Sequence, residues 1–437
     1  MQQERSVFGV DVLLILATIA LMTIGVLFIY SSGVTSDGVS FSREWLRQII
    51  WVILGLVILA SVAVFDYARL RDLSPYIYGT LIVVLIGTLL FGRVVNGARS
   101  WIGVGEFGVQ PSEFMKIATI LLLARFFEVR GRSLHEPLTF GLGMAIALVP
   151  MGLILLQPDL GTALVYLPVF LVMAYAAGAR PRYILFILAV GVVTVVLTVL
   201  PAWEREIYEG SVPAIAILTD RRLLIIVSGS IAAVGALALA GLLIVKRRYF
   251  AWIIYGVGVF LTAIAASVIG RRVLRDYQVM RLIVFLEPNV DPRGAGWNII
   301  QSVTAVGSGG IAGKGWLQGT QSHLQYLPQQ STDFIFSILA EEWGFLGALG
   351  VFACFAAIMV RGLMISAKAK DNFASLVAVG IVTMVFFHLA VNVGMAIGIM
   401  PITGIPLPCL SYGGSSLWTT LIGVGLLMSI YQHRYSY

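Results

Sequence analysis

Charged side chains are scarce in this chain: they make up 12% of its 437 residues, against 59% hydrophobic ones. Soluble domains carry roughly 25% charged and 45–50% apolar residues, so a water-soluble globular protein is excluded. Cysteine is rarer still. Cys354 and Cys409 both sit in or beside apolar runs, with neither metal-ligand spacing nor a disulfide framework. No internal repeat, soluble domain or low-complexity tail is evident. The polar/apolar alternation of a membrane β-barrel is missing as well. The short polar start, "MQQERSVFGV", is followed by an apolar run without a small-residue cleavage site, which reads as a first span rather than a signal peptide.

What remains is an all-α polytopic membrane protein with a mean hydropathy of +0.94. Runs of spanning length, about 17–25 residues, are expected at 10–31, 46–65, 74–91, 113–129, 138–156, 160–178, 182–201, 223–245, 249–270, 334–360, 374–398 and 412–431. These are about twelve spans, and an even number puts both termini on one side. Positive charge in short loops marks that side as cytoplasmic: Arg69 and Arg71, Arg125, Arg130 and Arg132, Arg180 and Arg182, Lys246 to Arg248, Arg361, Lys368 and Lys370, with Arg5 and Arg434 at the ends. The formal charge of +7 then reflects topology and an anionic lipid substrate, and gives no ground for nucleic-acid binding.

The whole chain, 1–437, reads as one membrane domain. Within it, 221–270 forms a self-contained hairpin and 271–333 a long extracytoplasmic loop. A structureless connector of that length is unusual, and its mixture of glycine turns with Trp, Ile, Val and Leu implies a packed or re-entrant element. A second outer loop, 92–113, has the same texture.

Ionisable groups at membrane depth are functional candidates by default. Asp333 opens the span that follows the long loop, where an aspartate suits both a helix N-cap and a catalytic base. Asp159, in "QPDLGTALV", starts another span at the outer face, where a helix N-cap is the alternative to a functional role. Glu113 and Lys116 lie three apart on one helix face, a spacing that favours a mutual ion pair over substrate contact. Glu341 and Glu342 call for buried partners. Arg271, Arg272, Arg275, Arg281, Arg293 and Lys314 form a basic set on the outer side, suited to phosphate. The segment "GSGGIAGKG" imitates a phosphate loop. However, Ser308 replaces the required glycine, Gly315 replaces the Ser or Thr that would hold magnesium, and no strand precedes it, so nucleotide binding is rejected.

Four blocks, "NGARSWIGVGEFGVQPSEFMKI", "QPDLGTALV", the stretch from "DYQVMRL" to "STDFIFSILAEEWGFLG", and "NVGMAIGIMPITGIPLPCLSYGGSSL", together resemble the SEDS family (shape, elongation, division and sporulation). The "GKGWLQGTQ" form and the short N-terminal segment are more similar to its RodA-type branch than to the division paralogue FtsW. The resemblance implies a core of about ten helices, to which 221–270 would be an inserted two-helix hairpin. It implies a peptidoglycan glycosyltransferase of the bacterial cytoplasmic (inner) membrane, polymerising lipid II into glycan strands at the outer face during elongation, beside a class B penicillin-binding protein. Asp333 matches the family's catalytic aspartate, and Glu113 and Lys116 match its Glu–Lys pair. Arg99, Trp101, Gln110, Ser112, Asp159, Arg281, Lys314, Gln321, Ser411 and Tyr412 fall inside the blocks and are the expected substrate-binding set. No cofactor is demanded by the residues. Mg2+ or Mn2+ beside the pyrophosphate is the candidate, with its ligands unassigned. A lipid II transporter and a non-catalytic scaffold are the competing functions. Transport predicts polar groups near the midplane, and a scaffold needs neither Asp333 nor a phosphate-suited basic set.

Overall fold

The computed structural model describes residues 9–35, 39, 42–95, 97–104, 107–208, 212–274, 276–292, 294–324 and 326–434. Arg5, Arg275 and Arg293 of the expected basic positions lie outside them. The chain divides into two compact units, Met1–Ala179 with Trp297–Tyr437, and Arg180–Gly296.

The first unit begins with α1 (Val12–Ser32), α2 (Glu44–Val64) and α3 (Tyr67–Phe91). A small antiparallel sheet follows, of β1 (Arg93–Val95), β2 (Ala98–Val104) and β3 (Phe107–Val109) in that order. Next come α4 (Pro111–Arg130), α5 (Pro137–Leu156), α6 (Leu160–Leu164) and α7 (Tyr166–Ala176). The second unit holds α8 (Pro181–Trp203), α9 (Pro213–Thr219), α10 (Arg221–Val245), α11 (Arg248–Val273) and α12 (Asp276–Leu286). The first unit resumes through α13 (Ala295–Ser308), α14 (Thr320–His323), α15 (Ile335–Ala367), α16 (Asn372–Ala396) and α17 (Gly414–His433).

All twelve expected runs are helical. Among the described residues, ten helices are long and apolar enough to cross a membrane. The expected fourth span, α4, is interrupted by Glu113, Lys116, Arg125, Glu128 and Arg130. The expected sixth is a 17-residue stretch, Leu160–Ala176, split after Leu164. Pro168 explains the split: it has no N–H to give the Leu164 carbonyl, and its ring crowds that carbonyl.

Caps and ion pairs fix which helix ends share a rim. At one rim, Asp11 caps α1 and bonds Arg361 of α15 at 2.7 Å, the Ser429 hydroxyl of α17 donates to the Phe65 carbonyl, and Tyr67 donates to Asp371. The opposite rim gathers the end of α1 and the starts of α2, α4, α15 and α17. There Ser31 bonds Glu342, Trp418 donates to the Trp51 carbonyl, and the Gln110 N–H donates to Ser415. Between the rims, α16 and α17 are the most enclosed spans, about 70% buried, and form the centre of this unit.

In the second unit, α10 and α11 pack on each other across the two-residue turn Lys246–Arg247, and α11 packs on α8. Only 6% of α10's apolar stretch is buried. The expected outer loop is largely helical, carrying α12, α13 and α14.

Candidate active site

Asp333 lies two residues before α15, on a turn held by its main chain. Its N–H donates to the Gln329 carbonyl at 3.1 Å, and its own carbonyl accepts the Asn392 side-chain amide at 2.9 Å. The same Asn392 amide donates to Ile405 at 2.8 Å. Ser411 donates to the Thr332 carbonyl at 2.5 Å and accepts the Leu407 N–H at 2.8 Å, while the Tyr412 N–H reaches the Ser331 carbonyl at 2.8 Å. Two loops, 329–334 and 404–412, are thereby stitched together. The Asp333 carboxylate is half-buried against Gly404, where an added Cβ would stand 3.6 Å from Oδ2. Phe334 is the N-cap of α15 and makes no side-chain capping bond. Ser411 is buried with its hydroxyl committed to the loop, so what is seen is positioning rather than substrate contact.

Asp159 does cap a helix. It accepts the Thr162 N–H at 3.1 Å and hydroxyl at 2.9 Å, and the Gln110 amide at 2.6 Å. Burial pushes its carboxyl above the ordinary range. Gly161, at the start of α6, is pressed against the Thr403 carbonyl, leaving no room for a side chain. The Asp159 turn therefore touches the loop whose next residue, Gly404, faces Asp333. Ser112 is buried, and its carbonyl accepts the Tyr166 hydroxyl at 3.0 Å. On β2, Arg99 is exposed, with its guanidinium 3.4 Å from the Leu90 carbonyl. The half-buried ring of Trp101 covers Gly108.

The expected Glu113–Lys116 pair is present, buried, with both carboxylate oxygens 2.8–2.9 Å from Nζ. A third member comes from α16: His388 Nε2 stands 3.0 Å from Lys116 Nζ. Its Nδ1 faces the Met384 carbonyl at 2.8 Å. Because a carbonyl only accepts, Nδ1 carries the proton and Nε2 accepts from the lysine. His388 went unnoticed in the sequence, although an ionisable residue inside an apolar run was the available signal.

Lys314 was expected beside the pyrophosphate, but the structure places its ammonium 2.7 Å from buried Glu341. The reason is physical: a carboxylate removed from water needs a counter-charge and hydrogen bonds. Glu341 also accepts the Thr320 N–H and hydroxyl, both at 2.9 Å, and the Gln321 N–H. Gln321 thus contributes its main chain, while its side-chain Oε1 is buried with no hydrogen-bond partner among the described residues. Glu342 takes Ser31 at 2.5 Å and the Leu317 N–H at 3.2 Å, with His323 Nε2 at 3.4 Å. Hydrogen bonding to Glu342 raises the pKa of His323, whose Nδ1 donates to the Val34 carbonyl.

This cluster sits where α15 breaks at Gly344 (φ 63°, ψ −160°). The glycine-rich loop takes over the freed main-chain groups: Lys314 and Gly315 N–H donate to the Glu341 and Glu342 carbonyls, and Phe345 and Leu346 N–H to Gly310 and Ile311. The phosphate-loop look-alike is therefore a splint for a broken helix.

Arg281 belongs to the second unit, on α12, with its guanidinium 5.5 Å above the Tyr277 ring. Arg271, in the same unit, donates to the Leu218 carbonyl. Among the described residues, no group of three or more His, Cys, Asp or Glu side chains is placed to hold a metal ion.

The FtsW/RodA/SpoVE model of cell cycle proteins matches residues 11–208 and 203–436. The peptidoglycan glycosyltransferase RodA of Treponema pallidum is 52% identical over 428 residues, 98% of each chain. The peptidoglycan glycosyltransferase MrdB of Escherichia coli is 33% identical over 97% of this chain and 94% of its own. A solved chain from a peptidoglycan synthase complex that coordinates polymerization and crosslinking superposes with a TM-score of 0.66 at 28% identity, covering 98% of this chain and all of its own. The chain belongs to the FtsW/RodA/SpoVE family.

Proposed function

We propose that this protein polymerises lipid II at the outer face of the bacterial cytoplasmic membrane during cell elongation, with Asp333 as general base. The activity class follows from its relatives: similarity to RodA and MrdB over nearly the full length makes the chain a peptidoglycan glycosyltransferase. It is a multi-pass membrane protein. The cytoplasmic placement of both termini and the outward facing of the Asp333 rim rest on the positive residues of the opposite rim, among them Arg71, Arg125, Lys368 and Lys370.

In the reaction, an acceptor sugar hydroxyl gives its proton to Asp333. Its oxygen bonds to the donor's anomeric carbon, and the bond from that carbon to pyrophosphate breaks, the leaving group taking the electron pair. A single displacement inverts the anomeric centre and needs one carboxylate. Pyrophosphate is already a good leaving group, so the acid of the two-carboxylate hydrolase scheme is dispensable. The single observation that carries this assignment is how Asp333 is held. Asn392 and Ser411 fix the main chain of its turn, which sets where its carboxylate stands, against Gly404. Asp159 is engaged as a cap, and Glu341 and Glu342 by the loop that bridges the break in α15. Arg99 is the proposed counter-charge for the pyrophosphate. Any divalent ion would add to it by neutralising phosphate charge. The proposed partner is a class B penicillin-binding protein supplying the transpeptidase. The match to a chain from a synthase complex that couples polymerization to crosslinking supports this.

The test is polymerisation of lipid II by the purified protein with its cognate class B penicillin-binding protein, wild type against Asp333→Asn, with glycan resolved on gels. Wild type makes long glycan. The variant assembles with the partner but falls by on the order of 10²–10⁴-fold, the usual worth of general base catalysis. Equal activity removes Asp333 from the mechanism. Absence of activity in both, with lipid II still crossing vesicles bearing the protein, turns the reading to transport.

A further inference from the structure

The segment leading into Asp333 lines a cleft of about 330 Å3, at the lower end of the roughly 300–1,000 Å3 spanned by small-molecule sites. Its polar walls come from Ser32 at the end of α1, Ser42 and Glu44 at the start of α2, and Gln329, Gln330 and Ser331. We propose that this cleft holds the terminal N-acetylhexosamine ring of the glycan acceptor, next to Asp333. The inference rests on the catalytic reading above and adds a substrate subsite to it.

Four observations carry it. No Lys or Arg is among the described residues lining the cleft, which suits an uncharged sugar better than the pyrophosphate. Gln330 has a buried side-chain oxygen with no hydrogen-bond partner among the described residues, an acceptor available to a sugar hydroxyl or acetamido N–H. Gln329 is held at φ +52°, a conformation costly for a non-glycine residue and typical of binding segments. Finally, aromatic rings stand at the same helix ends. Tyr30 lies 5.5 Å from Trp45 and 6.2 Å from Trp316, and Trp316 is 42% exposed. Tyr30 and Trp45 flank the lining residues Ser32 and Glu44 along α1 and α2, and aromatic rings suit the apolar faces of a sugar. Gln329, Gln330 and Ser331 belong to the turn that carries Asp333, whose N–H donates to the Gln329 carbonyl at 3.1 Å, so the cleft wall and the base share one turn.

The experiment uses the full chain with its penicillin-binding partner in proteoliposomes. Initial rates are measured against lipid II concentration for wild type, Gln330→Ala, Glu44→Gln and Asp333→Asn, and melting temperatures are recorded for all four. Binding of N,N′-diacetylchitobiose is followed in parallel by ligand-observed NMR. Loss of one sugar hydrogen bond should raise KM about tenfold with kcat nearly unchanged. Gln330→Ala should also lose the chitobiose signal that Asp333→Asn keeps. Wild-type KM and chitobiose binding in both cleft variants, with Asp333→Asn inactive, overturns the subsite and leaves the base intact. A fall in kcat that tracks a lower melting temperature, with KM and chitobiose binding unchanged, assigns the cleft a structural role and also overturns it. Full activity of Asp333→Asn would instead sink the catalytic reading on which the subsite depends.

Discussion

Two acidic sites lie eight residues apart at the start of α15, and they are built in opposite ways. At Glu341 and Glu342 the carboxylates themselves are gripped. Lys314, Thr320, the Gln321 N–H, Ser31 and the Leu317 N–H all donate to them. At Asp333 the grip is on the main chain, through Asn392 and the Gln329 carbonyl. In the first arrangement the carboxylates hold the surrounding loop together. In the second a fixed main chain sets where the carboxylate stands.

Removing a carboxylate from the first site should have the largest effect. Glu341→Ala leaves Lys314 and the Thr320 and Gln321 N–H groups without their acceptor. Breaking a buried pair by removing one partner costs about 3–5 kcal/mol, and partial exposure of Lys314 puts this one at the lower end. The expected outcome is a large drop in melting temperature and yield, and a variant that melts like wild type would break the comparison. Asn392→Ala acts on the second site. It frees the Asp333 and Ile405 carbonyls, and misplacing the base should lower kcat by up to ~10²-fold, with KM little changed and Asn392→Gln recovering part of the loss.

His323 sharpens the comparison through pH. Glu342 raises the pKa of its imidazole above the ordinary histidine value of about 6.5, so the folded state binds a proton more tightly than the unfolded one. The stabilisation is fully present below the unfolded value and is lost as pH rises through the raised folded value. Melting curves of wild type should therefore show stability falling with pH across that window, and His323→Gln should flatten this component. Arg99→Gln should give the smallest effect. An exposed charge pair is worth 1 kcal/mol at most, so KM for lipid II should rise by about fivefold or less and the shift should shrink with salt.

The spans were readable because each is a long run of apolar residues, and the Glu113–Lys116 pair because its partners are three residues apart. The break in α15 was not, since Gly344 looks like any helical glycine until a loop thirty residues earlier supplies its missing hydrogen bonds. Neither His388 nor Asn392 announces its partner, because Lys116 lies 272 positions from the first and Asp333 59 from the second. The pairing of Lys314 with Glu341 was hidden for the same reason. A basic residue in a loop is suited to phosphate by its chemistry alone, and only the fold shows a buried glutamate beneath it. Asp333 itself was legible as an acidic residue at the mouth of a span, whereas its main-chain anchoring was not.

The most direct measurement pairs the two sites in one experiment: single-turnover polymerisation rate and melting temperature for Asp333→Asn and Glu341→Gln, each with the partner bound. The account predicts that Asp333→Asn loses the rate and keeps the melting temperature, while Glu341→Gln loses melting temperature far more than rate per folded molecule. An Asp333→Asn protein that polymerises at the wild-type rate, or one whose inactivity is matched by unfolding, would contradict it.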